Sequence, residues 1–250
     1  MVTPTNPLRG ATIRNVLVLL LTYTAGSVDA LSYVGLGHVF TANMTGNTVL
    51  LGLALGQAER PAVIRASLAL AGFLAGVALG TRVINRGREE VGVWMPTINL
   101  ALAIEWALLT VWAVGWYLAG DLDTSPLAQN ALILPSALAM GVQSAVGRRL
   151  GISGVATTYI TGTLTNLVAY LVDRRHGTFA LQAHPEQAVR QTAPTQPVTG
   201  LLATTWGVYI GGAAGTALAT SFLGPLPALA FPIAVLTAVP LTAIVTFRQP

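Results

Sequence analysis

The sequence has no cysteine, no lysine and only three histidines, and each absence excludes a class of function. Without cysteine there are no disulfides and no thiolate metal ligands, and His38, His176 and His184 are too scattered for a zinc site. Without lysine the chain lacks the residue that an ATP-binding P-loop requires. It also lacks a Ser-His or Cys-His set and a His/Glu pair at helical spacing. We therefore expect no enzyme activity, no metal site and no cofactor.

Charged residues are scarce as well. They make up 9% of the 250 residues, whereas about 25% is usual for soluble domains, and 53% of the residues are apolar. Apolar runs near the length of about 20 residues that a bilayer span needs occur at 15–37, 67–84, 91–119, 128–147, 201–221 and 226–247. The sequence predicts an all-α polytopic membrane protein with the lipid bilayer as its partner. The arginines lie at the ends of the runs, where membrane topology explains them, so we expect no nucleic-acid binding.

The two halves of the chain resemble each other. The stretch from Gly26 to Leu55 is echoed by 141–171, with Thr45-Gly46 matching Thr161-Gly162. A glycine row at 72, 76 and 80 matches a second row at 207, 211 and 215, and such rows allow close helix packing in lipid. We predict a cytoplasmic tail at 1–13, a first membrane repeat at 14–119, and a second at 127–247 that contains a flexible cytoplasmic loop at 174–197.

Two apolar segments, 44–57 and 159–172, are too short for ordinary spans. If both cross the membrane, the chain has eight spans in two parallel repeats. If both re-enter, it has six full transmembrane helices plus two half-helices, and eleven arginines face the cytoplasm while only Arg60 and Arg65 face outside. The positive-inside rule favours the second arrangement, with a cytoplasmic amino terminus in a bacterial inner membrane. Three spans and one re-entrant piece per half then make an inverted repeat.

In the re-entrant arrangement, segments 36–43 and 150–158 dip into the membrane and each returns as a half-helix. Helix amino ends carry unpaired N–H groups and favour anions, so polar residues there predict a solute site. The candidate substrate-binding residues are Asn43, Thr45, Gly46, Asn47, Gln143, Thr158, Thr161, Gly162, Thr163 and Asn166. The alternative is that the threonines only cap the half-helices.

Two acidic residues lie inside predicted spans. Asp29 falls just past the middle of the first span and Glu105 near the centre of the third. An ionisable group in lipid costs at least about 2.5–3.5 kcal/mol, so each needs a hydrogen-bond partner or a function. We predict both as coupling residues, with structural carboxyls as the alternative. Gln143 lies close to the repeat position of Asp29.

Four sequence blocks carry a resemblance to a known family: AGSVDA at 25–30, GHVFTANMTGN at 37–47, MGVQS at 140–144 and TTYITGT at 157–163. With these blocks the chain resembles the YoaK-like family of bacterial inner-membrane proteins over roughly residues 15–247. The resemblance implies a small multi-span bacterial membrane protein of unknown function. It implies no substrate.

The function that these features favour is secondary transport of a small polar or anionic solute, coupled to a proton or another cation. A passive small-solute channel built from the two half-helices is the first alternative. A non-transport structural subunit is the second, and the polar short segments argue against it. The solute stays unknown, and a homo-oligomer remains compatible with the sequence.

Overall fold

The computed structural model describes residues 7–87, 95–120, 125–151, 160–176 and 198–247. These ranges form helices and no strand. The eight helices are α1 (Pro7–Gly35), α2 (Met44–Gly56), α3 (Arg60–Asn85), α4 (Pro96–Ala119), α5 (Pro126–Leu150), α6 (Ile160–His176), α7 (Val198–Leu223) and α8 (Pro225–Phe247). The prediction of an all-helical chain is confirmed for the ranges described.

Five helices in the described ranges are long and apolar enough to cross a membrane: α1, α3, α4, α5 and α8. The remaining predicted span, 201–221, corresponds to α7, which has 26 residues but is not among the five. Its glycines and threonines lower the mean hydropathy without shortening the helix. The helix α2 has 13 residues, or about 20 Å at 1.5 Å per residue, less than a bilayer core of about 30 Å. In α6 a shorter apolar stretch covers Ile160–Ala169.

Two helices extend past the predicted boundaries of the tail and the loop. The first helix begins at Pro7, inside the predicted tail, because the proline suits the first helical turn and the following residues tolerate a helix. The helix α6 continues to His176, into the loop predicted at 174–197. Residues 177–197 of that loop lie outside the described ranges.

Contacts between helices follow a two-fold pattern. Exchanging α1–α4 with α5–α8 converts the α3–α5 contact into α7–α1, α4–α5 into α8–α1, α2–α3 into α6–α7, and α3–α4 into α7–α8. The α4–α8 and α1–α5 contacts convert into themselves. Every helix pair in contact among the described residues obeys this exchange, so the internal similarity of the sequence is matched by similar packing.

Glycines make the closest of these contacts. A side chain at Gly76 would overlap the carbonyl oxygen of Leu138, and one at Gly141 would overlap that of Phe73. In the other half, Gly26 and Gly212 play the same part between α1 and α7. The first predicted row, at 72, 76 and 80, therefore packs against α5.

The second predicted row was wrong by one position. Added side chains at Gly207 and Gly211 would meet nothing within 4 Å, and one at Gly215 would meet only the Tyr23 hydroxyl, at 3.7 Å. Gly212 makes the close approach instead, because the α7 face that packs on α1 lies one residue further along.

The ends of three helices lie together. A side chain at Gly35, the last residue of α1, would overlap the ring of Trp116 near the end of α4. Beyond α1, the Arg65 Nε donates to the Gly37 carbonyl at 3.1 Å, which brings the start of α3 to the same place. The chain therefore leaves α1, passes through α2, and returns to the end of the bundle that it left.

Candidate functional site

The segment between α1 and α2 is non-helical from 36 to 43, as predicted for the first dip. It turns through Gly37 and His38, whose φ values of 73° and 63° lie in the left-handed region. Tyr33 stacks on Phe40 with ring centroids 5.1 Å apart. The second predicted dip, at 150–158, is described only to Gly151, so Thr158 lies outside the described residues.

Asp29 is the centre of the hydrogen bonding around this segment, and its side chain is buried. Its Oδ1 accepts backbone N–H groups from Thr41 at 2.9 Å, Ala42 at 2.7 Å and Asn43 at 3.3 Å. Its Oδ2 accepts the hydroxyl of Tyr209 from α7. One carboxylate therefore joins a loop of the first half to a helix of the second half.

Asn47 holds the same loop from the other side. Its Oδ1 accepts the Phe40 N–H at 2.9 Å, and its Nδ2 donates to the Phe40 carbonyl. Asn43 caps α2 by accepting the Gly46 N–H at 3.2 Å. The backbone N–H groups of 36, 38 and 40–43 are thus paired inside the protein, as such backbone requires at membrane depth.

These contacts bear on two predictions. The amino end of α2 was predicted to offer N–H groups to a solute; Asn43 takes the Gly46 N–H, and Asp29 takes the N–H groups of 41–43, which precede the helix. Asp29 was predicted to need a hydrogen-bond partner or a function, and it accepts four hydrogen bonds from described residues, none from a cation. It also lies six residues before Gly35, about 9 Å from the end of α1 and not near its middle.

Glu105 is different, because it is fully buried on α4 and neither carboxylate oxygen has a hydrogen-bond partner in the described part of the chain. It lies eleven residues before Trp116, or about 16 Å from the end where Gly35 and Trp116 meet. No hydrogen bond within the described ranges joins it to Asp29. The two predicted coupling residues are therefore separate features.

Gln143 does not reproduce the Asp29 arrangement. Its Nε2 donates to the Leu21 carbonyl at 2.9 Å, so it links α5 to α1 eight residues before Asp29. Its Oε1 has no partner among the described residues. The residue close to the repeat position of Asp29 is therefore an amide, and it joins the two halves at a different place. The helices pack with two-fold symmetry, but the buried polar contacts of the two halves differ.

The two predicted half-helices do not meet. In the described chain, α2 packs on α3 and α6 packs on α7, with no contact between α2 and α6. In α6, Thr163 is buried while Thr161 is exposed, and Thr165 donates to the Thr161 carbonyl at 3.0 Å. Gly162 and Asn166 are partly buried. The predicted solute-site residues therefore fall into two sets that the structure does not bring together.

Phe40, Arg65, Tyr33 and Tyr209 belong to the site and were not predicted from the sequence. The sequence does contain one indication for Tyr209: a tyrosine inside a helix rich in glycine and alanine needs a hydrogen-bond partner for its hydroxyl. No group of three or more His, Asp or Glu side chains comes together in the described ranges.

Gly46 gives a test of this packing. A Cβ there would lie 2.9 Å from the Phe40 ring and 3.1 Å from Asn43 Nδ2, whereas one at Gly52 in the same helix would meet nothing within 4 Å. We expect Gly46→Val to lower thermal stability by about 1–3 kcal/mol and Gly52→Val to leave it nearly unchanged. Thermal unfolding of both purified variants measures this, and equal stabilities would show that the loop does not pack on Gly46. Gly162→Val is the corresponding variant of the second predicted half-helix.

Glu105 gives a second test. Two buried acceptors without partners cost about 1–3 kcal/mol in proteins, so Glu105→Met should raise the free energy of unfolding by about that amount. The matched control is Leu109→Gln, which places a polar group on the same buried face one turn later and should destabilise. A destabilised Glu105→Met protein would mean that the carboxyl has a structural partner.

The helices, their burial and their internal carboxyls define a multi-pass helical membrane protein. The chain matches the family described as Protein of unknown function (DUF1275) over residues 17–242, and it belongs to that family. It is similar to the UPF0700 transmembrane protein YoaK of Bacillus subtilis (strain 168), with 42% identity over 159 residues, which cover 63% of this chain and 67% of that protein. No solved structure matches the chain. The resemblance to the YoaK-like family is confirmed.

Proposed function

We propose that this protein is a secondary transporter of a small polar or anionic solute in a bacterial inner membrane, coupled to a proton or another cation. The observation that carries the proposal is the Asp29 carboxylate, which holds the loop at 41–43 and, in α7, Tyr209. A group that can lose its charge therefore lies on the boundary between the two halves. Transporters of this kind work by moving one half against the other.

The coupling step follows from the chemistry of the carboxyl. A charged Oδ1 accepts three N–H groups strongly, and hydrogen bonds to a charged group contribute about 1.5–3 kcal/mol. Proton or cation binding at Asp29 weakens its hold on the loop and changes how firmly the loop is tied to α7. Ion binding and the relative position of the halves then influence each other, as coupled transport requires.

The topology that we propose has six spans and two re-entrant half-helices in an inverted repeat, with a cytoplasmic amino terminus. The contacts of Gly35 with Trp116 and of Arg65 with Gly37 support it, because in eight alternating spans these pairs would lie on opposite sides of the membrane. The short α2 and the division of arginines support it further.

The test of transport is accumulation in reconstituted vesicles. A thermal-shift screen of purified protein against polar and anionic metabolites finds candidate solutes, since a ligand at 100 times its dissociation constant adds about 2.7 kcal/mol to the folded state. We expect a stabilising solute to accumulate against its gradient when a pH or sodium gradient is imposed. Equilibration without accumulation under every gradient would favour a passive channel.

One observation favours a structural subunit instead. Asp29 accepts four hydrogen bonds, as a carboxylate with a purely structural role would. The Asp29 variant discussed below separates this role from coupling.

A further inference from the structure

A polar cavity of about 240 Å³ lies between α3 and α5, far from Asp29. It is lined by Thr81, Ile84, Asn85, Ala145, Arg148 and Arg149. These residues lie from the contact of Gly80 with Ala145 to the carboxyl ends of both helices. The cavity is therefore at the end of the bundle opposite the α1–α2 loop, the end that the arginine distribution predicts to be cytoplasmic.

The described lining residues offer donors for an anion and include no carboxylate. Two guanidinium groups, one amide and one hydroxyl face a single space. Arg149 makes a contact of 3.5 Å between Nη2 and Met95 Sδ, and a thioether is a weak acceptor. Among the described residues no stronger acceptor contacts the Arg149 guanidinium, so its other N–H groups can donate to a ligand.

The surrounding charge favours the same ligand. Arg82 lies in the last turn of α3 and Arg86 directly follows that helix, so both are at this end with Arg148 and Arg149. The last turns of α3 and α5 contain no acidic residue. A dianion or monoanion entering the cavity therefore meets a net positive environment.

We propose that this cavity binds a phosphate group. Arginine forks match phosphate oxygens in geometry and charge, and basic pockets between transmembrane helices on the cytoplasmic side bind lipid headgroups. Arginines at helix ends also interact with the helix dipole and set the membrane topology. Neither role requires a cavity, or an amide and a hydroxyl that face the same space as Asn85 and Thr81 do. The phosphate has two sources, the headgroup of an anionic phospholipid or free phosphate, and the experiment separates them.

The experiment titrates protein in detergent micelles with phosphatidylglycerol in one arm and inorganic phosphate in the other, with phosphatidylcholine as the zwitterionic reference. Thermal unfolding is the readout. We expect one or both phosphate probes to stabilise the protein and phosphatidylcholine not to do so. Stabilisation by phosphatidylglycerol alone assigns the site to lipid, and competition by inorganic phosphate assigns it to a soluble phosphate.

Variants locate the site. The double change Arg148→Gln with Arg149→Gln should weaken the response at least about tenfold, since each lost charged hydrogen bond contributes a factor of about ten or more. The double change Arg82→Gln with Arg86→Gln removes the same charge, but both residues lie outside the lining. It should change the response less than about threefold, because only screened electrostatics act at that distance. Asn85→Leu keeps every charge and should still weaken binding, because it removes the amide from the lining. This variant tests the site even if the arginine double variant does not fold.

The proposal is overturned if neither probe stabilises the parent protein, or if both arginine pairs weaken the response equally. The second result would mean that phosphate is attracted by the overall positive charge at this end of the bundle and does not bind in the cavity. If both the Asn85→Leu variant and the Arg148 and Arg149 double variant respond to the phosphate probes as the parent does, the cavity is not the binding site.

Discussion

Asp29→Asn should abolish gradient-driven accumulation of the solute while solute exchange across the same vesicles continues. The amide keeps an oxygen that accepts the N–H groups of 41–43, and its nitrogen faces the Tyr209 oxygen, so the loop keeps its shape. The charge that an ion would neutralise is gone, and with it the link between ion binding and the position of the halves. The loss of charged hydrogen bonds should cost about 1–3 kcal/mol of stability.

The matched control is Tyr209→Phe. This variant removes the donor to Oδ2 but leaves the carboxylate and its three N–H partners in place. It should be destabilised to a similar degree and still accumulate solute under a gradient. If Asp29→Asn accumulates solute as well as the parent protein, Asp29 is structural.

Gly76→Val should have the largest effect on stability. An added Cβ would overlap the Leu138 carbonyl and lie 3.0 Å from the Gly141 Cα, and both are backbone groups that cannot rotate away. The two helices would have to separate along their closest contact. Overpacking of this kind costs about 1–3 kcal/mol and sometimes more, and we expect about 3 kcal/mol here.

Gly211→Val is the control, because nothing lies within 4 Å of its added Cβ. It should unfold at nearly the parent temperature when both variants are compared in the same detergent. Equal destabilisation of the two variants would mean that the loss does not come from the α3–α5 contact, because valine has a higher helix propensity than glycine. The close approach at Gly76 would then contribute little to stability.

Features that depend on local sequence could be predicted. The apolar runs predicted the long helices, the polar residues at 43–48 predicted where α2 begins, and the spacing of Gly72, Gly76 and Gly80 predicted a close helix contact. Burial of Asp29 and Glu105 followed from their position inside apolar runs. Each of these needs only the spacing of residues along one segment.

Features that depend on how segments meet could not be predicted. Tyr209 reaches Asp29 across 180 positions, and the other donors to Asp29 are backbone N–H groups that carry no residue signature. The choice between Gly211 and Gly212 depends on the rotation of α7 against α1, which a row of glycines does not fix. The separation of α2 from α6 likewise follows from the packing of each on a different long helix.

Single-cysteine labelling tests the central claim, that two halves insert with opposite orientation around re-entrant α2 and α6. The native chain has no cysteine, so Ala58→Cys and Glu89→Cys each give one site, at opposite ends of α3. An impermeant thiol reagent added outside intact cells should label the variant at 58 and leave the variant at 89 unlabelled until the membrane is opened. Labelling at 89 with protection at 58 would contradict the account, because α3 would then run in the opposite direction and α2 would cross the membrane.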